Sequence, residues 1–165
     1  MHRFALFLAM IFPLGAFAQG NVDIGGMRMS YQLEGDSIEI SLFGPTKGWI
    51  GIGFNATNCI VKSDLILLKV ENDQVKHLDM YVRGVGNPVE DTRLNGTDDV
   101  HIKDFFEDHR GTSITFKIPL RSSDKYDFRH ELGKLFWLII AYSVSDDFGH
   151  HSRMRKHVQF KLEKN

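Results

Sequence analysis

The sequence predicts an all-β fold, a two-sheet antiparallel β-sandwich of about 8–10 strands. Apolar and polar residues alternate in many short segments, as at Ile38, Ile40 and Leu42, and this is the period of a half-buried strand. Turn-forming residues separate these segments at intervals typical of hairpins. No long segment has strong helical periodicity, so the sequence does not favour a helical or α/β fold.

The strands follow one another along the chain without repeats or linkers, which predicts a single domain. They are expected at Arg28–Leu33, Ile38–Leu42, Trp49–Phe54, Leu65–Val70, Val75–Val82, Ile114–Leu120, Leu135–Tyr142 and Val158–Leu162. Turns are expected at Glu34-Gly35-Asp36, Gly44-Pro45, Glu71-Asn72-Asp73 and Arg110-Gly111. Leu135–Tyr142 is apolar almost throughout, which predicts a central strand buried on both faces. The best candidate for a helix of one or two turns is Ser122–Leu132.

The N-terminal residues have the pattern of a secretory signal. A positive Met1-His2-Arg3 precedes the apolar run Phe4–Leu14, and Ala16-Phe17-Ala18 has small residues at the spacing of a cleavage site. We therefore expect residues 1–18 to be a cleaved signal peptide and residues 19–165 to form the exported domain. The mature protein is expected to be secreted, periplasmic or at the cell surface. No membrane span is expected after cleavage, because no later apolar run reaches the necessary length.

Composition excludes several classes of function. The chain has 165 residues, with 20 Lys or Arg against 21 Asp or Glu, and this balance argues against nucleic-acid binding through phosphates. The single Cys59 excludes an intramolecular disulfide and a multi-cysteine metal site. Because it precedes Ile60 and Val61, we expect it to be a small buried apolar residue. No phosphate loop, nucleophile elbow or zinc-protease motif occurs, so the domain is not expected to be an enzyme on its own.

Two adjacent histidines stand out. His150 and His151 follow the most apolar strand in a polar turn, and Arg153 and Arg155 come shortly after them. Imidazole is a common ligand for metals and for haem iron. The alternative is a solvated turn in which a histidine binds a neighbouring aspartate.

Several motifs together resemble one known family, the DOMON domains, over most of the chain after residue 18. They are Gly48-Trp49-Ile50-Gly51-Ile52-Gly53-Phe54-Asn55, Ser63-Asp64-Leu65-Ile66, Asp91, Gly96-Thr97-Asp98-Asp99, Phe116-x-x-Pro119-Leu120, Asp124-Lys125-Tyr126-Asp127 and Ala141-Tyr142-Ser143. The resemblance implies an extracytoplasmic β-sandwich related to the cytochrome domain of cellobiose dehydrogenase. It also implies a ligand pocket at the mouth of the sandwich, holding b-type haem or a sugar between the sheets.

The resemblance implies a histidine and a methionine as the iron ligands of haem-binding members. The histidine corresponds to His151, with His150 as the alternative. The methionine position is occupied by Ile60, which cannot bind iron, so three outcomes stay open: His151 with Cys59 or Met80, His151 alone, or no haem. If haem b binds, the expected contacts are Arg155 or Arg153 near a propionate and Trp49 and Phe54 in the pocket wall. The domain would then transfer single electrons to an exported or membrane redox partner.

Two alternatives need no iron. The first is a small carbohydrate, stacked on aromatic rings and hydrogen-bonded by acids, which could instead bind calcium. The rings are Trp49, Tyr81, Tyr142 and Phe148, and the acids are Asp64, Asp91, Asp98, Asp99, Asp146 and Asp147. The second alternative is an exported module that binds another protein.

Overall fold

A computed structural model describes residues 19–163 of the chain. The predicted signal peptide lies outside the described residues. The strands are β1 (Gln19–Ile24), β2 (Met27–Glu34), β3 (Ser37–Gly44), β4 (Ile50–Asn55), β5 (Asp64–Glu71), β6 (Gln74–Gly84), β7 (Asn87–Glu90), β8 (His101–Asp108), β9 (Gly111–Pro119), β10 (Leu135–Tyr142) and β11 (Met154–Lys161). A short 3₁₀ helix, Asp91–Leu94, follows β7. None of the helices in residues 19–163 has the length and apolar character needed to cross a membrane.

The strands form two antiparallel sheets. The five-stranded sheet has the order β1-β2-β3-β9-β8, and the six-stranded sheet has the order β11-β10-β4-β5-β6-β7. Two pairings join distant parts of the chain, since β3 pairs with β9 and β4 pairs with β10. The predicted two-sheet antiparallel sandwich is confirmed.

Alternating side chains of the facing strands fill the space between the sheets. On β4, the side chains of Ile50, Ile52 and Phe54 enter this core, and Phe116 of β9 meets them from the other sheet. The core continues through further fully buried residues: Met27, Ile38, Leu42, Ile66, Leu68, Ile114, Leu138 and Ile140. Burial of this apolar area is the main source of stability for the sandwich.

Three strands were not predicted because they lack clear apolar alternation. β1 and β8 are edge strands of the five-stranded sheet, and β7 is an edge strand of the six-stranded sheet. Most side chains of β8 are exposed or half-buried. An edge strand therefore shows a weaker alternation of apolar and polar residues than a strand whose every second side chain is buried in the core.

The prediction of a helical turn in Ser122–Leu132 is wrong. Residues 122–131 contain no regular secondary structure. The hydroxyl of Ser122 accepts a hydrogen bond from the backbone N–H of Asp124 at 2.9 Å, and the carboxylate of Asp124 accepts one from the N–H of Tyr126 at 2.9 Å. These local bonds compete with the backbone bonds of a helix. The segment instead connects β9 to β10 and packs the rings of Phe128 and His130 against Phe136.

Candidate functional site

The cavity among the core side chains is too small for haem or a sugar. The cavity among the core side chains measures about 10 Å³, which is about the volume needed for one water molecule. Ligand pockets usually measure hundreds of cubic ångströms. A large ligand would therefore have to bind elsewhere on the sandwich.

The six-stranded sheet has an apolar face that points away from the other sheet, which we call the outer face. Its side chains alternate with those of the core, so Trp49, Leu67, Met80 and Ala141 form a second apolar cluster there. All four are buried, and Phe148 packs against them. The outer face thus carries an apolar cluster that does not face another sheet, and Phe148 from the loop after β10 covers part of it.

Two glycines remove side-chain bulk from the middle of this face. A Cβ atom on Gly51 would lie 2.7 Å from Leu67 Cδ2, and a Cβ atom on Gly53 would lie 3.2 Å from the backbone carbonyl oxygen of Asp64. A larger residue at position 51 would therefore force the Leu67 side chain to move, and one at position 53 would crowd the backbone of β5. The two glycines let the neighbouring side chains of Leu67 and Leu65 pack closely against β4.

The loop between β10 and β11, residues 143–153, is tied at its base to the segment before β4. The Thr46 hydroxyl donates to the carbonyl of Ser143 at 2.5 Å and accepts from the N–H of Gly48 at 2.9 Å. The N–H of Trp49 donates to the carbonyl of Ser145 at 3.1 Å. A Cβ atom on Gly48 would lie 2.5 Å from the Ser143 carbonyl oxygen, so only glycine fits this approach. The base of the loop is therefore fixed.

Both predicted histidine ligands lie in this loop, and both are exposed. Trp49 Nε1 donates a hydrogen bond to the carbonyl of His150 at 3.2 Å. His150 Nδ1 lies 3.1 Å from Ser143 Oγ and 2.9 Å from the carbonyl oxygen of His151. A hydrogen bond at Nδ1 orients an imidazole so that Nε2 is available to a metal. The imidazole of His151 is open to solvent.

The loop between β4 and β5, residues 56–63, carries Cys59 and Ile60. Asn55 Nδ2 donates to the carbonyls of Cys59 at 2.6 Å and Val61 at 3.0 Å, which folds the loop into a compact turn. Cys59 is exposed, so the expectation that it is buried is wrong. The apolar neighbours Ile60 and Val61 misled the prediction, because the turn directs the Cys59 side chain outward.

These two loops border opposite ends of the outer face. The register of β4 and β10 pairs Asn55 with Trp137 at one end and Ile50 with Tyr142 at the other. The loop with Cys59 leaves β4 at the first end, and the loop with the histidines leaves β10 at the second. Donors from the two loops can therefore approach a ligand on the outer face from opposite sides.

His157 is a residue of this site that sequence analysis missed. The strand pairing places His157 beside Ile139 of β10. The same row continues across the outer face through Gly53, Leu65 and Met80. The alternation of side chains along β11 could have predicted its position. Val158 and Phe160 pack against the core, so the residues between and beside them, including His157, point to the outer face.

The environment of His157 connects it to the loop with Cys59. Its Nδ1 lies 2.9 Å from Oδ1 of Asn58. Burial and the nearby charge of Arg155 lower the pKa of His157. Its imidazole is therefore neutral over a wider range of pH, and a neutral imidazole is the form that binds metals.

The remaining predicted site residues are not all on this face. Phe54 packs in the core against His130 and Phe136, so it does not form one wall with Trp49. Met80 lies on the outer face but is packed among its apolar neighbours. Arg153 and Arg155 are exposed near the histidine loop.

The four aromatic rings proposed for sugar stacking do not form one platform. Trp49 is buried, and Tyr81 packs against Tyr126 with ring centroids 5.4 Å apart. Tyr142 packs against the core between the sheets, while Phe148 covers the apolar cluster of the outer face. The structure thus offers no shared stacking surface from these four residues.

A separate group of acids lies on the inner side of the six-stranded sheet. We call Asp79, Asp91 and Asp127 the acidic cluster, because one carboxylate oxygen from each lies within 4.8 Å of the other two. Burial raises the pKa of Asp79 to about 6, of Asp91 to about 7 and of Asp127 to about 8, and repulsion from neighbouring acids adds to each shift. Burial also raises the pKa of the adjacent Asp64.

His130 lies beside these acids within a group of aromatic rings. Its ring centroid is 4.7 Å from that of Phe54, 5.1 Å from that of Phe128 and 5.6 Å from that of Phe136. It is 3% exposed, and neither ring nitrogen has a hydrogen-bond partner among the described residues. Burial lowers the pKa of His130 to about 3. This histidine is therefore a neutral member of the core.

The fold and this site define a two-sheet antiparallel β-sandwich with an apolar outer face bordered by two donor-bearing loops. The DOMON domain family profile matches residues 23–143, and the chain belongs to this family. No curated protein matches the sequence significantly.

Two solved structures share the fold. One is the cytochrome domain of Myriococcum thermophilum cellobiose dehydrogenase, with 13% identity, a TM-score of 0.60 and coverage of 90% of this chain and 83% of that chain. The other is the cytochrome b domain of pyranose dehydrogenase from Coprinopsis cinerea, with 10% identity, a TM-score of 0.62 and coverage of 88% and 82%.

Proposed function

We propose that this DOMON domain binds b-type haem on the outer face and carries single electrons. The observation that supports it most is the apolar cluster on the outer face, which lies between the loop that carries His151 and the loop that carries Cys59. Bound haem supplies a reversible one-electron iron couple. The cytochrome domains that share the fold support the same proposal.

An imidazole of the histidine loop is the proposed first iron ligand. The family resemblance favours His151, whose ring is open to solvent. His150 is the alternative, because its Nδ1 already has the hydrogen-bonding neighbours that would orient Nε2. Ser143 and Trp49 fix the backbone of this loop, and this limits the movement needed to place either ring.

The second ligand is where this chain differs most from the haem-binding pattern. Ile60 has no lone pair, and the neighbouring Cys59 is exposed on the same loop. Met80 is 4% exposed and packed beside Trp49 and Leu67, so its sulfur could reach a ligand only if the cluster repacked. We therefore favour Cys59 as the second donor, with ligation by histidine alone as the other outcome. Arg153 and Arg155 are placed to pair with propionates.

Titration with haemin tests this proposal. The protein is titrated and its visible spectrum is recorded in oxidised and dithionite-reduced forms, beside the variants His151→Ala, His150→Ala and Cys59→Ser. His109→Ala is the matched control, because His109 is an exposed histidine on the turn between β8 and β9. We expect a stoichiometric Soret shift that one loop histidine variant loses and that His109→Ala retains.

The same spectra distinguish the alternatives. Loss of low-spin bands in Cys59→Ser, with the Soret shift retained, would identify the thiol as the second ligand. A folded protein whose spectrum equals that of free haemin would refute the haem proposal. A carbohydrate or a protein partner would then be the candidates, and glycan arrays would be the next measurement.

The cellular setting belongs to the same proposal. An exported electron carrier needs an exported or membrane redox partner, and the domain itself would not catalyse a reaction. The signal peptide predicted in residues 1–18 supports export. N-terminal sequencing of the protein recovered from an exporting host tests this, and a chain that still begins at Met1 would contradict it.

A further inference from the structure

The acidic cluster has the geometry of a shared cation site. Asp79 lies on β6, Asp91 begins the 3₁₀ helix and Asp127 lies in the segment between β9 and β10. The three oxygens within 4.8 Å of one another come from parts of the chain that are distant in sequence. Two oxygens on opposite sides of one calcium ion, at about 2.4 Å each, are separated by about 5 Å.

The burial of Asp91 is an independent observation that points to a ligand. Its side chain is 0% exposed, and neither carboxylate oxygen has a hydrogen-bond partner among the described residues. Leaving a carboxylate buried without a partner is costly. Arg93 is close in sequence but pairs with Glu90. None of the ion pairs found in residues 19–163 includes a member of the acidic cluster.

A small cavity adjoins the cluster. It measures about 10 Å³ and is lined by the carboxylates of Asp64, Asp79, Asp99 and Asp127 together with apolar residues of the core. Asp64 Oδ1 is also buried without a partner, whereas Oδ2 accepts the N–H of Phe128 at 2.9 Å. A space of this size holds one water molecule or one ion. We propose that Asp79, Asp91 and Asp127 bind a divalent cation of the calcium type.

The donor set favours calcium over other divalent cations. All three proposed ligands are carboxylates, which suit a hard cation, whereas zinc prefers nitrogen and sulfur donors. Magnesium usually retains several water molecules, and the adjoining cavity is too small to hold them. Asp64 and Asp99, which line that cavity, are the nearest additional carboxylates for the larger coordination number of calcium.

The cation would join three segments that no regular hydrogen-bond ladder connects. It would fasten the 3₁₀ helix and the irregular segment before β10 to strand β6. The site lies on the inner side of the sheet, whereas the proposed haem site lies on the outer face. Failure of one proposal therefore leaves the other intact.

Calcium-dependent melting tests the site. The protein is treated with a chelator, and its Tm is measured without cation, with Ca²⁺ and with Mg²⁺. At a Ca²⁺ concentration about 100-fold above the Kd, we expect the Tm to rise by about 5–10 °C. Mg²⁺ at the same concentration is expected to give a smaller rise, and an equal rise would refute the assignment to calcium.

Two variants distinguish Ca²⁺ binding at the acidic cluster from a general effect of salt on the Tm. Asp91→Asn keeps the size of the side chain and removes the buried charge, so the metal-free variant should fold and lose the Ca²⁺ response. Asp73→Asn is the matched control, because Asp73 is an exposed turn residue with φ of 56°, which asparagine tolerates. It should keep the full response. Equal responses from all three proteins would overturn the proposal.

Direct titration keeps the test independent of variant folding. Calorimetry of the metal-free wild-type protein should show about one Ca²⁺ bound per chain, as expected for a single set of converging carboxylates. If Asp91→Asn does not fold, Asp127→Asn takes its place, because Asp127 is only partly buried. Absence of binding by the folded wild-type protein would overturn the proposal.

Discussion

His130 should make the stability of this domain decrease at acidic pH. Its imidazole is enclosed by Phe54, Phe128 and Phe136 without a hydrogen-bond partner, so the folded protein holds it in the neutral form. The pKa of His130 is lowered to about 3 in the folded state, whereas an unfolded chain has a histidine pKa of about 6.5. Between these two values the unfolded state binds one more proton than the folded state.

The sign and the size of the effect follow from this difference. Because protonation of His130 favours the unfolded chain, the contribution of His130 to the free energy of unfolding falls as the pH falls below about 6.5. The buried acids with raised pKa values contribute in the opposite direction. The loss from His130 reaches a limiting slope of about 1.4 kcal/mol per pH unit. Integrated from pH 7 to pH 5, the contribution of His130 is about 2 kcal/mol.

Comparison with His130→Phe isolates this contribution from the titration of other groups. Phenylalanine keeps an aromatic ring at this position, and any change in packing shifts the free energy of unfolding by the same amount at every pH. Urea unfolding is followed by tryptophan fluorescence for both proteins at pH 7 and pH 5. The variant should gain about 2 kcal/mol relative to wild type over this range. Parallel pH profiles for the two proteins would refute the reasoning.

Three further predictions concern packing in the sandwich. Phe116→Ala removes a fully buried ring between the sheets and should cost about 3–5 kcal/mol in urea unfolding; a loss below 1 kcal/mol would contradict the described core. Gly48→Ala should lower the Tm strongly, because its Cβ would lie 2.5 Å from the Ser143 carbonyl oxygen, whereas Gly84→Ala, with no neighbour within 4 Å, should leave the Tm nearly unchanged. Thr46→Val removes the hydroxyl that bonds Ser143 and Gly48 and should cost about 1–3 kcal/mol by the same unfolding assay; wild-type stability would show that the loop base does not depend on it.

The sequence pattern predicted the core strands well because their alternation is set by burial. Ile38, Ile40 and Leu42 point to the core at every second position, and the strand at Leu135–Tyr142 agrees with the structure at both ends. The pattern failed at β8, where an edge position leaves Phe105 and Phe106 exposed. It also failed where side chains bond the backbone locally, as in the segment after Pro119.

Parts of the site could not be predicted because they depend on strand pairing. Trp49 and Phe54 are five residues apart in one predicted strand, so alternation alone puts them on opposite faces, as the structure shows; the prediction of a shared pocket wall was therefore wrong. The acidic cluster combines Asp79 with residues far away in sequence, and no motif signals that convergence. Asp91 and Asp127 both belong to the motifs of the family resemblance, but those motifs do not indicate that the two residues converge. His157 stands directly before the predicted strand Val158–Leu162, so the sequence pattern did not assign it to a face of the sheet.

The pairing of β4 with β10 also determines when this protein can fold. Every residue of β4 is buried in the finished sheet, yet its partner strand β10 begins only at Leu135, far along the chain from β4. Until that late segment is available, β4 is an apolar strand with an unpaired edge. Contacts of this range make folding slow, and the waiting chain is prone to aggregate. The yield of folded protein should therefore depend on how long contact between nascent chains is prevented.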